Sequence, residues 1–249
     1  MVDWQIWQRS WDAQQEGYLP DREERFARMI DVVEAHCGEK PRFLDLAGGT
    51  GSITIRLLER LPGASSVVLD LDPALLRIAH GSLGADHRVT IVRADLGEAT
   101  WRDELGREPF DAVLTATALH WLTEERLSAL YTEILAVLRP GGVFMNADHM
   151  VDPGLPELTE RFTRWREVRR EEAVERGAVT SWADWWEQAR SAPELADAVA
   201  ERQTIFSIPH SGGSMPPHPR HMELLHEAGF TEAGLIWRGL HDAAVAAVR

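Results

Sequence analysis

"RFLDLAGGTGSITIRL", Arg42 to Leu57, decides how the chain is read. An apolar run closes on Asp45, glycines follow at 48, 49 and 51, and apolar residues then return at helical spacing. A buried strand that feeds a helix through bare backbone is a ligand site by geometry. The absent side chains let N–H groups approach a ligand, and the helix start adds partial positive charge. The register runs Asp45-x-Ala47-x-Gly49-x-Gly51, which is not the G-x-G-x-x-G of a dinucleotide turn. No Gly-Lys-Ser/Thr follows, so the turn is not a P-loop either.

On either side of this stretch, strands and helices alternate. Phe26, Met29, Ile30 and Val33 share a face and predict a helix over 22–36, within an N-terminal helical segment 1–36. Strand 42–46 and helix 52–61 follow, the helix broken at Pro62-Gly63. "SVVLDLDP" reads as a strand, and Pro73 opens a helix to about Gly81. "RVTIVRADL" and "PFDAVLTATA" are further strands, and a helix over 124–138 is predicted to stop at "RPGG" before the strand "VFMNADHM". Such alternation predicts a parallel sheet covered on both faces. Residues 153–215 interrupt it as an inserted, mainly helical cap. A helix at 219–228 and two strands turning near Gly239 close the chain.

Asp70 ends the second strand 25 residues after Asp45, and Asp95 ends the third, 25 residues after Asp70. Three acids at adjacent strand ends line the carboxyl edge, where open α/β sheets take ligands. With these residues the sequence resembles the class I S-adenosylmethionine-dependent methyltransferases. "FLDLAGGTG" looks like that family's glycine motif, "VVLDLDP" its ribose-acid motif, "RADL" its adenine motif and "LRPGG" the turn before its fifth strand. The resemblance covers about 20–150 and 218–249, and implies one Rossmann-like α/β domain over 1–249 with seven strands in the order 3-2-1-4-5-7-6. It departs at Ala47, where the family usually has glycine.

The resemblance implies S-adenosyl-L-methionine as cofactor and a role for each matching residue. Asp45 would order the turn and the cofactor's amino group, and backbone at Ala47, Gly49 and Gly51 would approach its methionine and ribose. Asp70 would hold the ribose hydroxyls, with Leu71 on the adenine. Asp95 would accept from the adenine amino group, Leu96 would cover its other face, and Ala116 would offer a carbonyl to the methionyl end. "ALHWL" (118–122) and "YLPDREERFARM" (18–29) resemble the trans-aconitate methyltransferase subgroup. That comparison implies that Arg25 neutralises the cofactor carboxylate and Tyr18 closes over the sulfonium. It leaves His120 and Trp121 open between substrate contact and a structural role.

Methyl transfer needs a base only if the acceptor must lose a proton. His120, His149, His210, His218 and His221 are candidates, His149 foremost because it ends the fifth strand beside the expected crevice. No metal is expected: the single cysteine, Cys37, excludes a cysteine zinc site, and His210, His218 and His221 lack a carboxylate at helical spacing. In the cap, Leu158, Phe162, Trp165 and Val168 share one helix face. That face either packs on the domain or, with Trp182, Trp185 and Trp186, walls a substrate pocket; Trp121, Trp165 and Trp186 are the substrate-contact candidates.

A net charge of −14 argues against nucleic-acid binding, no run approaches a membrane span, and no secretion signal is visible at the start. The expectation is a cytoplasmic O-methyltransferase of a small molecule, N- or C-methylation and a homodimer being left open. The alternatives are a methyltransferase of protein or tRNA, or a non-catalytic cofactor-binding protein of the same fold.

Overall fold

The computed structural model describes residues 2–207 and 216–249. Two helices come first, α1 (Trp4–Tyr18) and α2 (Arg22–Cys37), then β1 (Arg42–Leu46), α3 (Ser52–Arg60), β2 (Ser65–Asp70), α4 (Pro73–Leu83), β3 (Val89–Arg93), β4 (Phe110–Ala116), α5 (Glu124–Val137) and β5 (Leu138–His149). Three helices follow, α6 (Pro156–Glu175), α7 (Trp182–Ser191) and α8 (Ala196–Ile205), and then α9 (His218–Glu227), β6 (Glu232–Arg238) and β7 (Asp242–Val248). Short 3-10 turns lie at Ala99–Leu105 and Leu119–Trp121.

The strands form one sheet in the order β3-β2-β1-β4-β5-β7-β6. β1 to β5 pair in parallel, and β7 runs antiparallel to both of its neighbours. This is the order and hairpin reversal expected from the sequence. The chain winds outward from β1 in one direction and from β4 in the other. The crevice between them, at the carboxyl ends, is the place where such sheets take ligands.

Each face of the sheet carries its own core. On one, Leu44, Leu69, Val113 and Phe144 pack with Tyr131, Ile134 and Leu225 from α5 and α9. On the other, Phe43, Leu114 and Met145 pack with Phe26, Met29, Ile30 and Val33 of α2 and Leu57 of α3. The four α2 residues are those whose spacing predicted the helix, because the buried stripe of an amphipathic helix is a local property of sequence. A third cluster joins Trp11 of α1 to Ile78 of α4 and to Trp185, Trp186 and Val199 of α7 and α8.

One boundary differs from expectation. "RPGG" does not stop α5 with a free turn; extended backbone begins at Leu138, and the β4–β5 register slips between Phe110 and Ala112. Pro140 has no N–H to give the ladder and Gly141 has φ +72°, so the strand starts irregularly before pairing regularly from Val143. Among the described residues, no helix is long and apolar enough to cross a membrane.

Candidate functional site

The glycine turn is held from below by Asp45, whose carboxylate accepts from Thr54 N (3.1 Å) and Thr54 Oγ1 (2.8 Å). Gly48 packs so closely that an added Cβ would lie 2.7 Å from Asp45 Cγ, and Gly49 turns through φ +56°. Ala47 sits at φ +54°, the left-handed region that costs an L-residue about 1–2 kcal/mol per residue in a helix. The methyl at this position is therefore accommodated with strain. Gly51 (φ +80°) opens α3 and lies against Leu83 rather than the crevice.

At the end of β2, Asp70 accepts from Gly49 N and Asp72 N, both at 2.8 Å. Asp72 in turn caps α4 through Ala74 N and Leu75 N and pairs with Arg202 of α8 at 2.5 Å. Burial raises the carboxyls of both Asp45 and Asp70 to about 6. Oδ1 of Asp45 is buried without a hydrogen-bond partner.

These groups open into a crevice of about 790 Å³, within the range of ligand pockets. Of the residues expected from the sequence, Tyr18, Asp45, Ala47, Gly49, Asp70, Leu71, Asp95, Leu96, Ala116, His120, Trp121 and His149 line it together. Asp95 accepts from Gly97 N at 2.7 Å, and the Tyr18 hydroxyl accepts from Trp182 N at 2.9 Å.

Several expected residues lie elsewhere. Arg25 is 2% exposed, 2.7 Å from Asp21 and from Asp242, and stacks on Trp237; it does not line the crevice. Arg22, one turn earlier, does, paired with Asp12 at 2.9 Å. Trp165 is 55% exposed and stacks on Phe162, facing neither core nor crevice. Only Thr159 of α6 is buried, so its apolar stripe follows neither of the two expectations. Trp186 is buried among Trp11, Trp182 and Trp185 beneath the Arg202 guanidinium, behind the lining rather than in it. His221 is buried on Tyr131 (2.6 Å), its pKa pushed down to about 4 by that burial, and neither it nor His218 lines the crevice. His210 is outside the described residues.

Residues not singled out for the site also line it: Trp11 and Gln15 of α1, Arg22, Thr117 and Arg202. Trp11 could have been suspected from the tryptophans at 4, 7 and 11, which share a helix face.

Two histidine–carboxylate pairs stand at the β4–β5 side of the crevice. His120 Nδ1 lies 2.7 Å from Asp148 Oδ1, and His149 Nδ1 lies 2.5 Å from Asp242 Oδ1. Asp148 also accepts from His120 N (3.1 Å) and His149 N (2.8 Å). Hydrogen bonds from its histidines hold the Asp148 carboxyl below its usual range despite burial, and Asp242 is held far lower by His149, His241 and Arg25.

Sequence and shape comparisons agree with this geometry. Residues 43–142 match the family described as a methyltransferase domain. Over that stretch the chain is similar to the class I S-adenosylmethionine-dependent methyltransferases. It is similar to the malonyl-[acyl-carrier protein] O-methyltransferase of Geobacter sulfurreducens, 29% identical over 132 residues, 53% of this chain and 47% of that one. It is also similar to the trans-aconitate 2-methyltransferase of Azoarcus sp., 31% identical over 134 residues, 54% of this chain and 49% of that one. An O-methyltransferase family protein from Burkholderia thailandensis has the same fold, with TM-score 0.58 and 18% identity over 89% of this chain and 55% of that one. The chain thus spans about half the length of these relatives.

The family's cofactor is S-adenosylmethionine, and the residues present fit it. The unpartnered Asp45 oxygen is a buried acceptor awaiting a donor such as an ammonium or amide. Asp70 stands beside a turn whose backbone leaves no room for further side chains, as close approach by a ribose requires.

Proposed function

We propose that the chain binds S-adenosylmethionine in this crevice and transfers its methyl group to a small acceptor, most readily at oxygen. The observation that carries the reading is the presence of two carboxylates in one crevice, buried Asp45 with an unused oxygen and half-buried Asp70 beside bent glycine backbone. When bound, the cofactor supplies an electrophilic methyl carbon on a positively charged sulfur.

The chain's own residues align and exclude water. Asp70 takes the ribose hydroxyls with lone pairs not used by Gly49 and Asp72, while Leu71 and Leu96 flank the adenine and Asp95 accepts from its amino group. Arg22 takes the role expected of Arg25, neutralising the methionyl carboxylate, with Ala116 at the same end. Tyr18, Trp121 and Trp182 bound the acceptor side, and α6 to α8 act as the cap over it. With the cofactor supplying the methyl group, His149 or His120 would take the proton that the acceptor's oxygen must lose. Histidines paired in this way can take a proton through Nε2, which suits an acceptor that must lose one, such as a hydroxyl. Arg170, stacked on Tyr18 at the crevice wall, suits an acid-bearing acceptor.

The test is calorimetry with S-adenosylmethionine and S-adenosylhomocysteine on wild type and Asp70→Ala. Loss of a charged acceptor should weaken both by about 1–3 kcal/mol. Equal affinity in wild type and variant would remove Asp70 from the site and the reading with it.

A further inference from the structure

The two histidines of the crevice are arranged as metal ligands as much as bases. Each ring has its Nδ1 against a buried carboxylate, His120 on Asp148 and His149 on Asp242. In neutral imidazole that contact makes Nδ1 the N–H and leaves the lone pair on Nε2. Metal-bound histidines are oriented in this way, by a carboxylate behind the ring that fixes the tautomer and raises ligand basicity.

The spacing fits a single ion. The ring centroids are 5.0 Å apart at an interplanar angle of 55°. Two imidazoles on one tetrahedral ion, with metal–nitrogen bonds of about 2.0–2.1 Å, place their centroids about 5 Å apart. One ring nitrogen from each of His120 and His149 and a carboxylate oxygen of Asp148 lie within 4.8 Å of one another.

Charge points the same way. Asp242 is matched by two guanidiniums, Arg25 at 2.7 Å and Arg166 at 2.9 Å. Asp148, equally buried, has no Lys or Arg partner among the described residues; its neighbours are the two histidines. The pair therefore sits on an uncompensated negative charge at the wall of an open crevice, which leaves positions for water or an acceptor oxygen.

We propose that His120 and His149 bind one divalent first-row transition ion, such as Zn²⁺ or Co²⁺, through Nε2, oriented by Asp148 and Asp242. Imidazole donors select such ions over Mg²⁺ or Ca²⁺. The binding claim stands on this geometry alone; with Nε2 on the ion neither histidine takes the acceptor's proton, and the ion's use, holding and acidifying an acceptor oxygen beside the donor methyl, rests on the methyl-transfer reading above.

The experiment is a Co²⁺ titration of the EDTA-treated full chain without S-adenosylmethionine, followed by visible absorption, with Zn²⁺ competition. One equivalent should bind, and Zn²⁺ should displace it. His120→Gln and His149→Gln should each weaken binding more than tenfold, and Asp148→Asn should weaken it about 10–100-fold, the cost of losing an orienting carboxylate. X-ray absorption of the Zn²⁺ form of wild type needs no variant to fold and should show two imidazole ligands. Failure to bind Co²⁺ at millimolar concentration, the same affinity in the variants, or a shell of oxygen ligands only would overturn the proposal. None of these results depends on S-adenosylmethionine binding, so the methyl-transfer reading stands or falls separately.

Discussion

His149 and Asp242 are the last register pair of the antiparallel β5–β7 ladder, and their side chains meet with Nδ1 2.5 Å from Oδ1. The other carboxylate oxygen takes Arg25 of α2 and Arg166 of α6, and Arg166 also donates to the carbonyl of Tyr18 at the end of α1. One buried acid thus ties a crevice histidine to three helices.

Replacing Asp242 by Asn leaves two guanidiniums without their shared counter-charge. Arg25 is 2% exposed, so water cannot take over its role. Breaking a buried pair of this kind costs about 3–5 kcal/mol, and urea denaturation of Asp242→Asn should show a loss of that size. A loss under about 1 kcal/mol, the range of exposed pairs, would mean that solvent reaches the cluster.

Acid should weaken cofactor binding before it unfolds the protein. The Asp45 and Asp70 carboxyls are raised to about 6 against 3.8 in the ordinary state, so the folded apo-protein binds protons more tightly than the unfolded chain. Their contribution to apo stability therefore grows as pH falls from about 6 toward 4 and is lost as pH rises through 6. Ionised, both accept from a ligand with more lone pairs and about twice the strength, so S-adenosylmethionine affinity should fall as pH drops through 6. Calorimetry from pH 8 to 5 measures this; a flat profile, or one unchanged in Asp70→Asn, counts against it. Asp148 and Asp242, held below their usual range, act in the opposite sense and destabilise the fold only in stronger acid.

The two neighbouring arginines should separate cleanly. Arg22→Gln should weaken S-adenosylmethionine binding at least fivefold in protein that remains folded, because Arg22 lines the crevice. Arg25→Gln should instead lower the melting temperature, through its pairs with Asp21 and Asp242, and change affinity less than twofold. The reverse result would restore Arg25 to the cofactor.

Tryptophans of the helical insertion should differ as sharply. Trp165→Ala removes a side chain that is 55% exposed and should shift stability by no more than about 0.5 kcal/mol. Trp185→Ala empties a site 2% exposed between Trp7 and Trp11 and should cost about 3–5 kcal/mol. Matching losses would show that α6 packs on something in solution.

The parts of the site readable in sequence are those made by local chain geometry. Asp45, the glycine turn, Asp70 and Asp95 each sit at the end of a strand that its own residues predict. The parts that were not readable depend on partners distant in the chain. Arg22 and Arg25 are both buried on one helix, and only the arrival of Asp242 from the last strand decides which of them is withdrawn from the crevice. The apolar stripe of α6 was visible as a stripe, but the spacing of Leu158, Trp165 and Val168 carries no information about what they face. Asp148 and Asp242 escaped notice for a similar reason: the antiparallel register, not the sequence around either, sets Asp242 beside His149.

The indoles around α1 offer a practical consequence. Trp11 and Trp182 border the crevice while contacting the deeper Trp185 or Trp186, with centroids 4.9 to 6.1 Å apart. Excited indoles respond to a nearby positive charge, and energy passes readily between rings this close. Arrival of a sulfonium should therefore register as a change in intrinsic emission, giving a label-free optical assay that requires no knowledge of the acceptor.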